Sequence, residues 1–150
     1  VAQESPLEGY GAYVTYVPLR TEASFKEFLK LPDVPVYEIA PRAALNPFAE
    51  AEKAAALVAG KKTVVLLPGR KFDASGTRFG QGGGWYDRFL SAVPTEWTRV
   101  GFCFTRQFSP ETLKREEWDQ VMDFVCVIDE KTGMKTVHTT GARPLVHFPA

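Results

Sequence analysis

The chain has 150 residues, 45% of them hydrophobic, with 18 basic residues balanced by 18 acidic ones. That length suits a single domain, residues 1–150, with a real core, and zero net charge removes any general pull towards nucleic acid or an anionic membrane. No apolar run reaches transmembrane length, and the opening VAQESPLEGY lacks the apolar core of a signal peptide, which argues against secretion.

The first residue is Val1 rather than methionine, which points to a processed or partial product. GYGAYVTYVPL (9–19), rich in Tyr and Val between Gly and Pro, reads as a strand. In TEASFKEFLKL (21–31), Phe25, Phe28 and Leu29 fall at helical spacing and predict a short amphipathic helix. A short proline-bounded strand is expected from Val36 to Ile39. NPFAEAEKAAALVAG follows as a helix, with Asn46 as its cap, Pro47 in its first turn and Gly60 as its terminator.

KKTVVLLPG carries a non-alternating apolar run, Val64 to Leu67 after Thr63, stopped by Pro-Gly. Such a run fits a strand buried on both faces of a parallel sheet. A helix is expected from about Trp85 to Val93, then two more buried strands, TRVGFCFT and DFVCVID. A loop with a short helical turn in SPETLKREEW joins them, and MKTVHTTG reads as a last edge strand or hairpin arm. Alternating strands and helices make this an α/β layered fold. Cys103 and Cys126 sit inside apolar strand-like runs and read as buried thiols, although spacing does not exclude a disulfide. His138 and His147 have no acidic or Cys neighbours at ligand spacing and read as surface or strand residues.

The densest signal is RFGQGGGWYDRFL, residues 78–90. Glycine at this density lets backbone approach something closely. One reading is an anion-binding nest at a helix start, with Arg78 as a cationic fork and Asp87 beside a shared Mg²⁺. The other is a packing turn in which Asp87 merely complements the helix dipole. The loop matches neither the Gly-Lys-Ser/Thr phosphate loop nor the dinucleotide fingerprint.

The longer stretch LLPGRKFDASGTRFGQGGGWYDRFL closely resembles the signature of the 5-formyltetrahydrofolate cyclo-ligases, or methenyltetrahydrofolate synthetases. The matching positions are Pro68, Phe72, Asp73, Gly76, Arg78, Gly80, Gly82, Gly84, Trp85, Tyr86 and Asp87. REEWDQVMDFVCV resembles the Glu-x-Asp element that this family carries ahead of its last core strand. The resemblance spans roughly residues 10–130 and leaves the tail, 131–150, unmatched.

It implies a three-layer α/β/α sandwich with a mostly parallel central sheet, in which the N-terminal part of the family fold is expected to be missing. That part carries a basic helix contacting ATP. The implied activity is MgATP-dependent cyclisation of 5-formyltetrahydrofolate to 5,10-methenyltetrahydrofolate. ATP activates the formyl oxygen as a phosphate, N10 attacks, and phosphate leaves.

By the same resemblance Arg78, Phe79, Gly80, Gln81, Gly82, Gly83, Gly84, Trp85 and Tyr86 would bind ATP. Gln81, Gly82, Gly83, Gly84 and Trp85 would also touch the reduced folate, and Asp87 and Asp119 would hold Mg²⁺. Glu38 falls near the family's substrate loop. Arg70 and Lys71 stand where an apolar pair is usual. The expected compartment is the cytoplasm or the mitochondrial matrix. The alternative is a shortened, non-catalytic relative that binds nucleotide or folate, or serves as a structural module with a protein partner in a larger assembly.

Overall fold

The computed structural model describes residues 6–40, 46–80 and 84–144. Its main sheet has six strands: β1 (Ala12–Tyr16), β2 (Val36–Ile39), β3 (Thr63–Leu67), β6 (Thr98–Phe104), β8 (Phe124–Ile128) and β9 (Lys135–Thr139). They lie in the order β2-β1-β3-β6-β8-β9. The first five run parallel, and β9 closes one edge antiparallel to β8. A second, small sheet holds β4 (Lys71–Asp73) between β5 (Arg78–Phe79) and β7 (Phe108–Ser109). The mixed α/β fold and the mostly parallel sheet are those expected from the sequence.

Every residue of β3 is buried, because apolar layers cover both faces of the sheet. Successive residues feed opposite cores: Val65 and Leu67 pack on one side, Val64 and Leu66 on the other. The first side is covered by α1 (Pro47–Leu57) and α2 (Trp85–Ser91), through Ala51, Ala54, Phe89 and Leu90. Helix α1 begins as its sequence requires: the Asn46 side chain accepts from the N–H groups of Phe48 (2.9 Å) and Ala49 (3.3 Å). Past its end Gly60 takes φ +76°, a left-handed conformation that suits glycine.

The second side departs from expectation. Residues 21–31 form only a 3-10 turn, Phe25–Glu27, where an amphipathic helix was expected. Ser24 caps the turn by accepting from the Lys26 N–H, but Pro32 follows within a few residues. The residue before a proline is driven out of helical conformation, so the remaining window is too short for a helix to pass its costly first turn. Phe25, Phe28 and Leu29 still reach the sheet, so the apolar layer exists without the helix. SPETLKREEW likewise holds no helix, only a turn at Glu117–Trp118.

Cys103 and Cys126 are free and buried, in the cores on opposite faces of the sheet, which rules out a bond between them. Burial pushes both thiols up to about 12, so neither is a ready nucleophile. His138 lies in β9 with its ring stacked on Phe108 at 4.4 Å, and His147 lies outside the described residues. Among the described residues, no helix is long and apolar enough to cross a membrane.

Candidate active site

The main sheet changes direction of growth at β1, which has β2 on one side and β3 on the other. Connections leaving the carboxyl ends of such strands diverge, and the crevice between them is where open α/β sheets bind ligands. A cavity of about 1000 Å³ lies there, walled by Val17 and Leu19 after β1, Ile39 and Ala40 at the end of β2, and Pro68 after β3.

The small sheet builds the facing wall. β4 and β5 form a hairpin that sets Phe72 opposite Arg78 and Lys71 opposite Phe79. Its turn is organised by the buried carboxylate of Asp73. That group accepts from the Ser75 hydroxyl (2.7 Å) and from the N–H groups of Ser75 (2.9 Å), Thr77 (3.0 Å) and Leu113 (2.7 Å). Burial alone would raise the Asp73 pKa, but these donors outweigh it and hold it below the ordinary value.

The Asp73 stabilisation is therefore full above the unfolded carboxylate pKa of about 3.9 and is lost as pH falls through the lower folded value. Asp73→Ala is expected to cost about 3 kcal/mol at neutral pH, since it strands the buried Thr77 N–H and three part-buried donors. Urea melts across pH check this: the gap between variant and parent should narrow in acid. A gap independent of pH would contradict the ionised-anchor account.

Arg78 is buried in the cavity wall. Its Nε donates to the Pro68 carbonyl at 2.5 Å, and its guanidinium lies 4.7 Å over the ring of Tyr86. Burial pulls the Arg78 pKa down, while Tyr86, Asp87 and Glu22 act to keep its charge. A Cβ on Gly80 would stand 3.0 Å from both terminal nitrogens of Arg78, so glycine there leaves the guanidinium its space. Gly84 opens α2 at φ +65°, and Trp85 stacks on Phe89 with centroids 5.5 Å apart. Gln81, Gly82 and Gly83 lie outside the described residues.

Asp87, in the first turn of α2, accepts from the Gln120 N–H at 2.9 Å. Burial raises its pKa, and the negative charge of Asp119 adds to the rise. Asp119 in turn accepts from the Glu116 N–H at 2.8 Å. The structure thus brings Arg78, Phe79, Gly80, Gly84, Trp85, Tyr86, Asp87 and Asp119 to one cavity.

Among the described residues, no cluster of three or more His, Cys, Asp or Glu is arranged to hold a metal. The donor set is instead two carboxylates near enough to feel each other's charge. That set fits Mg²⁺, which usually takes one or two carboxylates and fills its octahedron with phosphate oxygens and water.

Some cavity residues were not assigned from the sequence. Arg70 and Lys71, noted only as a departure from the family pattern, line the cavity while remaining exposed. Glu22, buried and accepting from the Leu19 N–H at 2.8 Å, lines it too, whereas Glu38 is exposed on β2 and does not. Trp118, 66% exposed beside Asp119, stands on the same wall. Of these only the Arg-Lys pair carried a signal in the sequence, as two charges where the signature is apolar.

The family model of the 5-formyltetrahydrofolate cyclo-ligases matches residues 14–128. The chain belongs to that family. Its members are ligases, and the matched span carries both walls of the cavity.

Among solved structures, the chain is similar to a 5,10-methenyltetrahydrofolate synthetase from Mycoplasma pneumoniae. They share 19% identity at a TM-score of 0.54, over 81% of this chain and 74% of that one. It is also similar to the 5,10-methenyltetrahydrofolate synthetase of Aquifex aeolicus, with 22% identity and a TM-score of 0.55, over 92% of this chain and 76% of that one. At such identities the likeness speaks for the fold. No curated protein matches the chain.

Proposed function

We propose that the chain is a MgATP-dependent 5-formyltetrahydrofolate cyclo-ligase that produces 5,10-methenyltetrahydrofolate. The observation that carries this reading is a cavity at the switch point of a cyclo-ligase-family sheet, lined by a fixed guanidinium and a carboxylate pair. Its volume lies at the top of the range for small-molecule sites, as a site taking a nucleotide and a second substrate requires.

When bound, MgATP supplies the phosphoryl group that makes the formyl oxygen a leaving group. The chain's own part is positioning and charge. Asp87 and Asp119 hold the metal, and Arg78, already fixed by Pro68 and Tyr86, meets phosphate charge with little reorganisation. Phe79, Gly80 and Tyr86 complete the nucleotide side. Gln81, Gly82, Gly83, Gly84 and Trp85 serve both the nucleotide and the reduced folate. No side-chain nucleophile is required, which agrees with two thiols buried in the cores.

The test is to incubate the chain with 5-formyltetrahydrofolate and ATP, with and without Mg²⁺, and follow the near-ultraviolet absorbance of the methenyl product. Cyclisation that needs both ATP and Mg²⁺ supports the reading. A folded chain that binds both substrates yet shows no turnover overturns it in favour of a binding module.

Arg70 and Lys71 make no ion pair among the described residues, so their charge remains free for a ligand at the cavity. Replacing both with Ala is expected to raise KM for MgATP roughly fivefold, with kcat and the folate KM little changed. Steady-state kinetics at low and high salt check this, since exposed charges act less at high ionic strength. Equal rises in both KM values would rule out a nucleotide-side role.

A further inference from the structure

The tail beyond residue 128 lies outside the family match, yet it grips the segment that carries Asp119. Asp123 is buried, and its carboxylate receives a two-pronged pair from Arg143: Nε to Oδ1 at 2.9 Å and Nη2 to Oδ2 at 3.0 Å. The rest of the Arg143 guanidinium is also committed, donating to the carbonyls of Thr95 (2.6 Å) and Trp97. Thr140 adds a second tie, its hydroxyl donating to the carbonyls of Met122 (2.6 Å) and Asp123 (3.1 Å).

From the other side the same residues are fastened to the sheet and the hairpin. The Arg99 N–H donates to Asp123 Oδ2 at 2.8 Å, the Asp123 N–H to the Arg99 carbonyl at 2.9 Å, and the Met122 N–H to the Gly76 carbonyl at 2.8 Å. Gly76 has φ +90°, and a Cβ there would meet the Met122 carbonyl at 2.5 Å, so the two backbones are in close contact. The Arg99 side chain reaches Val121, its Nη1 3.4 Å from that carbonyl. Just upstream, the Gln120 N–H holds Asp87, and Asp119 faces the cavity.

We infer that Arg143 is a positioning residue for the divalent-cation site: its clasp on Asp123 fixes residues 119–123, and with them the spacing of Asp119 and Asp87. The inference rests on the proposed metal role of those two aspartates. A two-carboxylate site has few protein ligands, so its affinity depends on how firmly each is held, and loss of an outer partner usually costs ten- to a hundredfold. Arg143 is the better lever than Asp123, because its side chain is partly exposed while Asp123 is buried and also bonds the Arg99 N–H. Loss of Arg143 does leave the Asp123 carboxylate without this counter-charge.

The experiment titrates Mn²⁺, read by its paramagnetic resonance signal, into the full chain with a non-hydrolysable ATP analogue. Arg143→Gln is expected to weaken Mn²⁺ roughly tenfold and Thr140→Val by less, with analogue affinity in metal-free buffer unchanged in both. Arg143→Lys should recover part of the loss, since it restores charge but not the fork. Arg106→Gln, which removes an exposed pair with Glu130 elsewhere, should bind Mn²⁺ like the parent.

Asp119→Asn separates this inference from the reading beneath it. If Asp119→Asn weakens Mn²⁺ while folded Arg143→Gln does not, the clasp is structural only and the inference is overturned. If Asp119→Asn binds like the parent, the metal reading falls and takes the inference with it. Should Arg143→Gln fail to fold, Thr140→Val decides, and parental Mn²⁺ affinity there overturns the inference.

Discussion

Arg78→Met is expected to lower kcat/KM for cyclisation by roughly 10²- to 10³-fold while leaving the chain folded. The size follows from the proposed role: a fixed, desolvated donor aimed at developing phosphoryl charge is worth about as much as one oxyanion-hole donor. The folding expectation follows from burial. Arg78 bears a desolvation cost that Met does not, and Met fills similar volume against Tyr86, so the lost bond to the Pro68 carbonyl is partly offset. Arg78→Lys should recover little, because an ammonium cannot both bond Pro68 and present a planar fork above Tyr86. Rate measurements beside thermal melts check this. A folded Arg78→Met chain within a few-fold of parental kcat/KM would remove Arg78 from the proposed machinery.

Gly101→Ala is expected to destabilise the chain by about 3 kcal/mol, at the upper end of ordinary overpacking. An added Cβ on this β6 residue would stand 2.2 Å from Cε1 of Phe72, a ring with no solvent exposure. The ring has little room to retreat, since a Cβ on Gly69 would also lie 2.8 Å from its Cε2 and Cζ. These two glycines clear the slot through which Phe72 pins the small sheet to the main one. Phe72 pairs with Arg78 across the hairpin, so a displaced ring moves the cavity wall as well. Combining Gly101→Ala with Phe72→Leu should cost less than the sum of the single changes, the mark of a shared steric cause. Urea titration of the four chains measures the coupling. A Gly101→Ala chain within 0.5 kcal/mol of the parent, roughly the additivity error, would mean the slot is not tight.

Much of the fold could be read before any coordinates. Asn46, Pro47 and Gly60 framed α1, and the observed helix starts at Pro47 and ends at Leu57. The run Val64 to Leu67 after Thr63 anticipated β3, observed at Thr63–Leu67, because a short, β-branched, non-alternating run stopped by Pro-Gly suits a doubly covered strand. The segment 21–31 had the right periodicity and the wrong length: an apolar pattern tells which side chains seek the core, and the prolines that follow decided the backbone.

The site was legible in part. Arg78 and Asp87 stood out by the chemistry of the glycine loop and Asp119 by the family resemblance, and all three line the cavity. Glu22 and Trp118 were not, since one buried acid and one exposed tryptophan carry no pattern along a chain. Strands β4, β5 and β7 were also missed. Segments of two or three residues are too short to show a period, and they exist because Asp73 and Phe72 tie them to partners far away in sequence.

The amino-acid order alone therefore settled what depends on neighbours: the cap of α1, the doubly buried strands, the glycine-dense loop and the residues behind the family resemblance. Burial periods, capping and turn chemistry act over a few residues, so they are written where they act. Tertiary structure decided the rest. It put the carboxyl ends of β1, β2 and β3 around one cavity, set Arg70 and Lys71 in its lining, and closed Arg143 on Asp123 from outside the family match. Those features join residues distant in sequence, and such pairings exist only once the sheet has assembled and made them neighbours.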